Sequence, residues 1–141
     1  MRFKFFKHTA DVEFEAYGKT IEEAFENAAI ALQEVMVNTK KVELKITKEI
    51  SIESEDMKSL LYDFLEKFLI FHDAEDLVFG KIRVIKIWKS GDKWKIEARA
   101  MGEEFDEKKH EPRTVVKAVT YFDMHIGKKD SRFFVHVVLD I

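Results

Sequence analysis

Only two stretches of this chain repeat apolar residues at helical spacing, and that limits what the rest can be. In "TIEEAFENAAIALQEVMVN", residues 20–38, the residues Ile21, Ala24, Phe25, Ala28, Leu32 and Val35 fall on one stripe, and Thr20 with Glu23 forms a capping-box signature. In "SEDMKSLLYDFLEKFLIFHDAED", residues 54–76, Met57, Leu60, Leu61, Phe64, Leu65 and Phe68 do the same behind Ser54, Glu55 and Asp56, residues suited to a helix N-terminus. Elsewhere the period is two. "RFKFFKH" is a short first strand, and "DVEFEAYG" sets Val12, Phe14 and Ala16 on one face against Asp11, Glu13, Glu15 and Tyr17 on the other. "KVELKITKEISIES" reads as a strand with Val42, Leu44, Ile46, Ile50 and Ile52 on one face. "LVFGKIRVIKIWK" and "KWKIEARAMG" flank the hairpin signal "SGD", with a bulge expected where the apolar phase slips between Val84 and Ile85. "EEFDEKKHEPR" reads as the longest loop, and "TVVKAVTYFDMHI" and "RFFVHVVLDI" form a second hairpin around "GKKDS". The order ββαβαββββ predicts an α+β fold, two helices packed on a mostly antiparallel β-sheet, with residues 1–141 as a single domain.

Composition narrows the function classes. A chain that is 46% hydrophobic and 36% charged with one proline has the make-up of a folded domain, and no run approaches the roughly 20 apolar residues of a membrane span. The N-terminus passes directly into strand pattern, which is the expectation for a chain without signal or transit peptide, and with no cysteine the expected location is cytoplasmic. The lack of cysteine also excludes thiol catalysis and thiolate-held metals. Against 24 basic stand 27 acidic residues, a balance that argues against direct, stable nucleic-acid binding. Asn27, Asn38 and Gln33 are the only amides in a chain rich in Lys and Glu, which points to a thermophilic source.

Familiar catalytic signatures are missing. Gly18, Gly80, Gly91, Gly102 and Gly127 are too scattered for a phosphate-cradling loop, and no serine sits in a nucleophile elbow. His8, His72, His110, His125 and His136 include no i, i+4 pair, so each alone reads as structural or exposed. Three features remain. "KHTAD" joins the first two strands, where Asp and Thr are also ordinary turn residues. "HEPRTVVKAVTY" carries His110 and Glu111, which a cap or loop contact would explain, and Lys117, which a solvated charge would explain. "VVLDI" sets Asp140 beside a chain-end carboxylate, or is simply an apolar edge strand.

The first and third features could combine. If the strand beginning at Asp11 neighbours the last strand, Asp11, Asp140 and the Ile141 carboxylate would repel one another until a cation joined them. Oxygen donors alone favour calcium, magnesium or manganese over zinc or copper.

At these residues the chain resembles the archease family. The resemblance rests on "KHTADVEFEAYGKTIEEAFENAA", "LLYDFLEKFLIFHDAEDLVF", "GEEFDEKKHEPRTVVKAVTY" and the terminal "VVLDI", in the family's order over nearly the whole chain. It implies a small α+β protein, not itself an enzyme, that acts as a cofactor of an RtcB-type RNA ligase in tRNA splicing by promoting ligase guanylylation and multiple turnover. It also implies a divalent metal site, calcium foremost with magnesium or manganese as alternatives. Asp11 and Asp140 would be its side-chain ligands, Ile141 would add a terminal carboxylate or backbone oxygen, and His8 would lie beside it. The chain departs from the family pattern at Phe122, where many relatives have histidine, and at Arg113, where glycine is common, so the "KAVTY" segment carries no assigned role beyond a partner surface. The alternatives are a metal-dependent hydrolase acting alone and a chaperone-like protein-binding module.

Overall fold

The structure, a computed structural model, describes residues 1–6 and 11–141. The elements follow the expected order: β1 (Phe3–Phe6), β2 (Asp11–Gly18), α1 (Ile21–Met36), β3 (Ile46–Ser54), α2 (Met57–Glu75), β4 (Leu77–Ser90), β5 (Lys93–Glu104), β6 (Ala118–Lys129) and β7 (Arg132–Asp140). A four-residue helix, α3 (Glu107–His110), and a 3-10 turn at Thr39–Lys41 are added to them.

The strands form two antiparallel sheets, ordered β1-β2-β7-β6 and β3-β5-β4. The division is invisible in the sequence because pairing between β2 and β7 joins residues more than a hundred positions apart. In the four-stranded sheet, Phe14, Ala16, Val135, Val137 and Leu139 are buried toward the helices. Asp11, Glu13 and Glu15 take the opposite face, as strand alternation requires.

Helix α1 is capped by Thr20, whose hydroxyl accepts from the Glu23 amide at 3.1 Å. The other half of the expected capping box is displaced by one residue, since the Glu23 carboxylate accepts from the Lys19 amide. The helix is buried well beyond its predicted stripe, with Ala29, Ile30 and Ala31 also inside, because it meets both β2 and β4. Its polar side chains close the free edge of the smaller sheet. Gln33 Oε1 accepts from the Phe79 amide at 3.0 Å, Glu26 from Val84 at 3.0 Å, and Glu22 from Ile87 at 3.3 Å. An uncovered edge would leave those amides as a template for pairing with another chain. Gln33 is fully buried and its Nε2 has no partner among the described residues, a cost of about 1–3 kcal/mol that the closed edge must offset.

In α2, Asp56 and Ser59 form a complete capping box, and Leu60, Leu61, Phe64, Leu65 and Phe68 are fully buried as the periodicity predicts. Phe64 stacks on Phe25 of α1 and meets Phe68 edge-on at 5.2 Å between centroids. The bulge expected in β4 lies between Val84 and Lys86, and a second occurs at Gly80.

Three expectations need correction. Residues 42–45 are not part of β3; the 3-10 turn, capped by Asn38, occupies the chain just before them, and Leu44 and Ile46 are exposed rather than inward. "EEFDEKKHEPR" is not a continuous loop, because Glu103 and Glu104 belong to β5 and α3 folds back under Asp106. Strand β6 begins at Ala118, not Thr114, since Arg113 and Thr114 donate their amides to the Met36 and Val35 carbonyls of α1.

Truncating Phe64 to alanine should lower unfolding free energy by about 3–5 kcal/mol. Asp56→Ala, which removes only a cap, should cost about 1 kcal/mol. Urea denaturation of the two variants checks the ranking, and a Phe64→Ala penalty no larger than that of the cap would contradict this core.

Candidate functional site

The register of the larger sheet settles where the two candidate aspartates lie. Asp11 opens β2, Asp140 closes β7, and the two are direct cross-strand partners. Opposed residues of an antiparallel pair project from the same face with Cβ atoms about 4.5–5.5 Å apart. On its other side Asp140 pairs with Ala118, and the Lys117 amide donates to the Asp140 carbonyl at 2.8 Å, which fixes the end of β7 between two neighbours. Ile141 follows with its side chain packed against the core, so the main chain beyond Asp140 is held at the same end of the sheet.

Both carboxylates lie on the sheet face away from the core, Asp140 exposed and Asp11 half-buried. Like charges directly opposite each other destabilise a sheet. Among the described residues no group of three His, Asp or Glu side chains converges to hold a metal ion. Two aspartates with a main-chain oxygen of Ile141 would make a hard, all-oxygen donor set, the chemistry that suits calcium or magnesium. His8 lies outside the described residues.

The same face continues as a ladder. Beyond Asp11–Asp140–Ala118 comes Glu13–Val138–Thr120, and then Glu15–His136–His125. Thr120 donates its hydroxyl to the Val138 carbonyl at 2.8 Å. The His136 ring is held between two carboxylates, Nε2 against Glu13 and Nδ1 against Glu15 at 3.0 Å, and packs against His125 with 6.1 Å between ring centroids. Tyr17 donates to Glu15 at 2.9 Å. Burial acts to raise the Glu15 carboxyl, but the bonds from His136 and Tyr17 outweigh it and hold the group below its ordinary value. This trio was not singled out from sequence. The alternation of Asp11, Glu13 and Glu15 was visible, but His136 joins them only through the register.

The "HEPR" segment has a structural role. His110 is fully buried, its Nδ1 accepts from the Asp106 amide at 2.8 Å, and its Nε2 donates to Glu103 at 2.9 Å. Glu103 also accepts from the Glu43 amide at 2.7 Å and from Lys109. Burial pushes the Glu103 carboxyl up, yet the Glu43 amide, His110 and Lys109 together bring it down to about 2 from 4.5. Arg113 pairs with Glu34 at 2.8 Å and ties the segment to α1. Lys117 is exposed, as a solvated charge would be.

A small α+β chain with two helices on antiparallel sheets and an acidic pair at one end of the larger sheet's two central strands is therefore the class defined by this fold and site. Residues 3–141 match the archease protein family. The chain is 49% identical over 141 residues to the protein archease of Pyrococcus abyssi, covering 99% of each. It is 47% identical over 141 residues to that of Thermococcus kodakarensis, again covering 99% of each. The solution structure of Methanobacterium thermoautotrophicum protein 1598 superposes with a TM-score of 0.87 at 46% identity, over 99% of both chains. The crystal structure of a Thermotoga maritima archease, described as a possible chaperone, shares the fold at TM-score 0.59 and 22% identity, over 98% of this chain and 96% of that one. The chain belongs to the archease family.

The buried Glu103 gives a pH signature. Because its folded value is depressed, its contribution to stability is present above about 4.5 and is lost as pH falls toward about 2. Glu103→Gln should be less stable than the parent at neutral pH, and the difference should shrink steadily through that acid window. Denaturation midpoints at a series of pH values check this, and a gap that stays constant with pH would contradict the depressed carboxyl.

Proposed function

We propose that this protein is a metal-binding cofactor of an RtcB-type RNA ligase in tRNA splicing, promoting guanylylation of the ligase and so its repeated turnover. The observation that carries the reading is the direct facing of Asp11 and Asp140 across β2 and β7, beside the held chain at Ile141. Membership of the archease family supports it, as does the exposed setting of Asp140, which leaves a partner free to approach.

On this reading Asp11, Asp140 and a main-chain oxygen of Ile141 would hold a divalent cation, calcium first and magnesium or manganese next, with His8 as a further candidate. When bound, the ion would supply positive charge between two carboxylates that otherwise repel. The chain's own residues do the positioning: Lys117 fixes the backbone of Asp140, and the β2–β7 register fixes Asp11 opposite it. The protein acts as an activator and not as an enzyme. It favours the ligase conformation that accepts the nucleotide, which requires unequal affinity for the ligase's two states.

Multiple-turnover RNA ligation by the cognate ligase at substoichiometric enzyme tests the reading. Wild type should raise turnover, and Asp11→Ala and Asp140→Ala should each lose at least roughly tenfold of the stimulation, a loss that even outer partners of metal sites produce on mutation. Chelator-treated protein should behave like the variants until calcium is restored. Stimulation by both variants equal to wild type would end the metal-cofactor reading. No stimulation by wild type would turn attention to the chaperone-like alternative suggested by the description of the Thermotoga relative.

A further inference from the structure

The residues from Tyr121 to Met124 do not pair as regular strand. In the β6–β7 register Thr120 faces Val138 and His125 faces His136, so the four residues Tyr121 to Met124 stand opposite Val137 alone. The excess chain loops out of β6, an edge strand of the larger sheet, with Asp123 in the left-handed region at φ 49°. Met124 turns into the core, while Tyr121 and Phe122 are 53% and 68% exposed. A bulge that seats one residue and presents two aromatics is a device for re-aiming side chains at a sheet edge.

Tyr121 does not stand alone. It stacks on Tyr62 of α2 with ring centroids 4.4 Å apart and planes 9° from parallel. Burial raises both phenols, and nearby carboxylates raise them further: Asp56, Asp63 and Glu66 around Tyr121, and Asp63 and Glu66 around Tyr62. Ser54 donates to Asp63 at 2.6 Å, and Lys58 lies near Asp56. Among the described residues, no lysine or arginine forms an ion pair with Asp56, Asp63 or Glu66. The patch therefore combines exposed aromatic side chains with carboxylates that no ion pair neutralises among the described residues.

That combination selects its occupant. Phosphate backbones are repelled by it, whereas an arginine or lysine gains from the ring faces and from the carboxylates together. Exposed aromatics at the centre of such a patch are the residue types that dominate protein–protein affinity.

We infer that the β6 bulge and the adjoining face of α2, with Tyr62, Tyr121, Phe122, Asp63 and Glu66, form a docking surface for a basic segment of a partner protein. This surface is separate from the Asp11–Asp140 pair, although both lie on the larger sheet: Asp140 faces Ala118 at the start of β6, and the bulge begins three residues later. The inference rests on the reading that the protein acts through a protein partner. It assigns the holding of that partner to the bulge and leaves the aspartates for the stimulation itself.

The test has two arms, both on the full chain. In the first, affinity for the cognate RtcB-type ligase is measured by calorimetry for wild type, Phe122→Ala, Glu66→Lys and Asp140→Ala. Thermal unfolding is recorded alongside to show that the variants fold. Phe122→Ala and Glu66→Lys should weaken binding on the order of tenfold or more. Asp140→Ala should fail to stimulate ligation, and its loss of affinity should be smaller than that of either bulge variant. Bulge variants that bind as wild type does would overturn the inference and leave the metal-cofactor reading standing. If wild type itself does not bind the ligase, that reading fails and the second arm decides.

In the second arm, a short synthetic peptide of alternating arginine and leucine is titrated into isotopically labelled protein. It should shift the Tyr62, Tyr121 and Phe122 resonances, and Glu66→Lys should abolish the shifts. A glutamate-for-arginine peptide and a single-stranded RNA should leave them unmoved. Shifts with RNA, shifts with neither peptide, or a self-associated dimer that Phe122→Ala dissolves would each overturn the assignment to a basic protein segment.

Discussion

The pairing of β2 with β7 is the constraint on which the rest of this structure depends. Eight residue pairs, from Asp11↔Asp140 to Gly18↔Phe133, place a strand from the start of the chain beside one from its end, in the middle of the larger sheet. The buried side of that pair carries Phe14, Ala16, Val135 and Val137, against which α1 packs. With α1 fixed there, its opposite side reaches β4, and Gln33, Glu26 and Glu22 close the edge of the second sheet. One long-range register thus sets the helix, and the helix sets the second sheet. Contacts so distant in sequence make loop closure costly and folding slow for a domain of this size.

The exposed side of the same pair carries the chemistry. Alternation puts Asp11, Glu13 and Glu15 on the face away from the core, and the register sets Asp140 and His136 among them. Two acids brought together by backbone pairing, rather than by a loop, are held in a fixed relation by hydrogen bonds that serve the fold anyway. The proposed ion would act on a geometry that already exists, and preorganisation of this kind is what a functional site built on strands provides. The proposed docking surface uses the opposite device. At the β6 bulge the sheet gives up regular pairing so that two aromatics face outward.

How much of this was legible in the sequence follows from the range of each interaction. The two helices, their caps and the alternation of β2 are local, and they were read nearly residue by residue. The Val84 bulge was legible because a slip in apolar phase is itself local. The facing of Asp11 and Asp140 needed the pairing of distant strands, which the sequence could pose only as a condition and to which the resemblance to archeases added weight. Helix α3 was hidden in a polar run because His110 is buried by Glu103, a residue of β5, and not by a pattern of its own. Residues 42–45 misled for the opposite reason, since Leu44 and Ile46 keep strand alternation while facing outward. The four-residue bulge in β6 was read as strand because Tyr and Phe are strand formers, and only the partner strand reveals the excess chain.

The central claim, that Asp11 and Asp140 form a divalent-cation site, is tested most directly by calorimetric titration of calcium into metal-free protein, with magnesium and manganese in parallel. Wild type and the Asp11→Asn/Asp140→Asn double variant are compared. Asparagine keeps the shape of each side chain and removes its charge, so the fold should survive. The account predicts a single saturable site in wild type that the double variant loses. Wild type that binds none of the three ions below roughly 10⁻³ M, the weak end of protein calcium sites, or a double variant that binds as tightly as wild type, would contradict it.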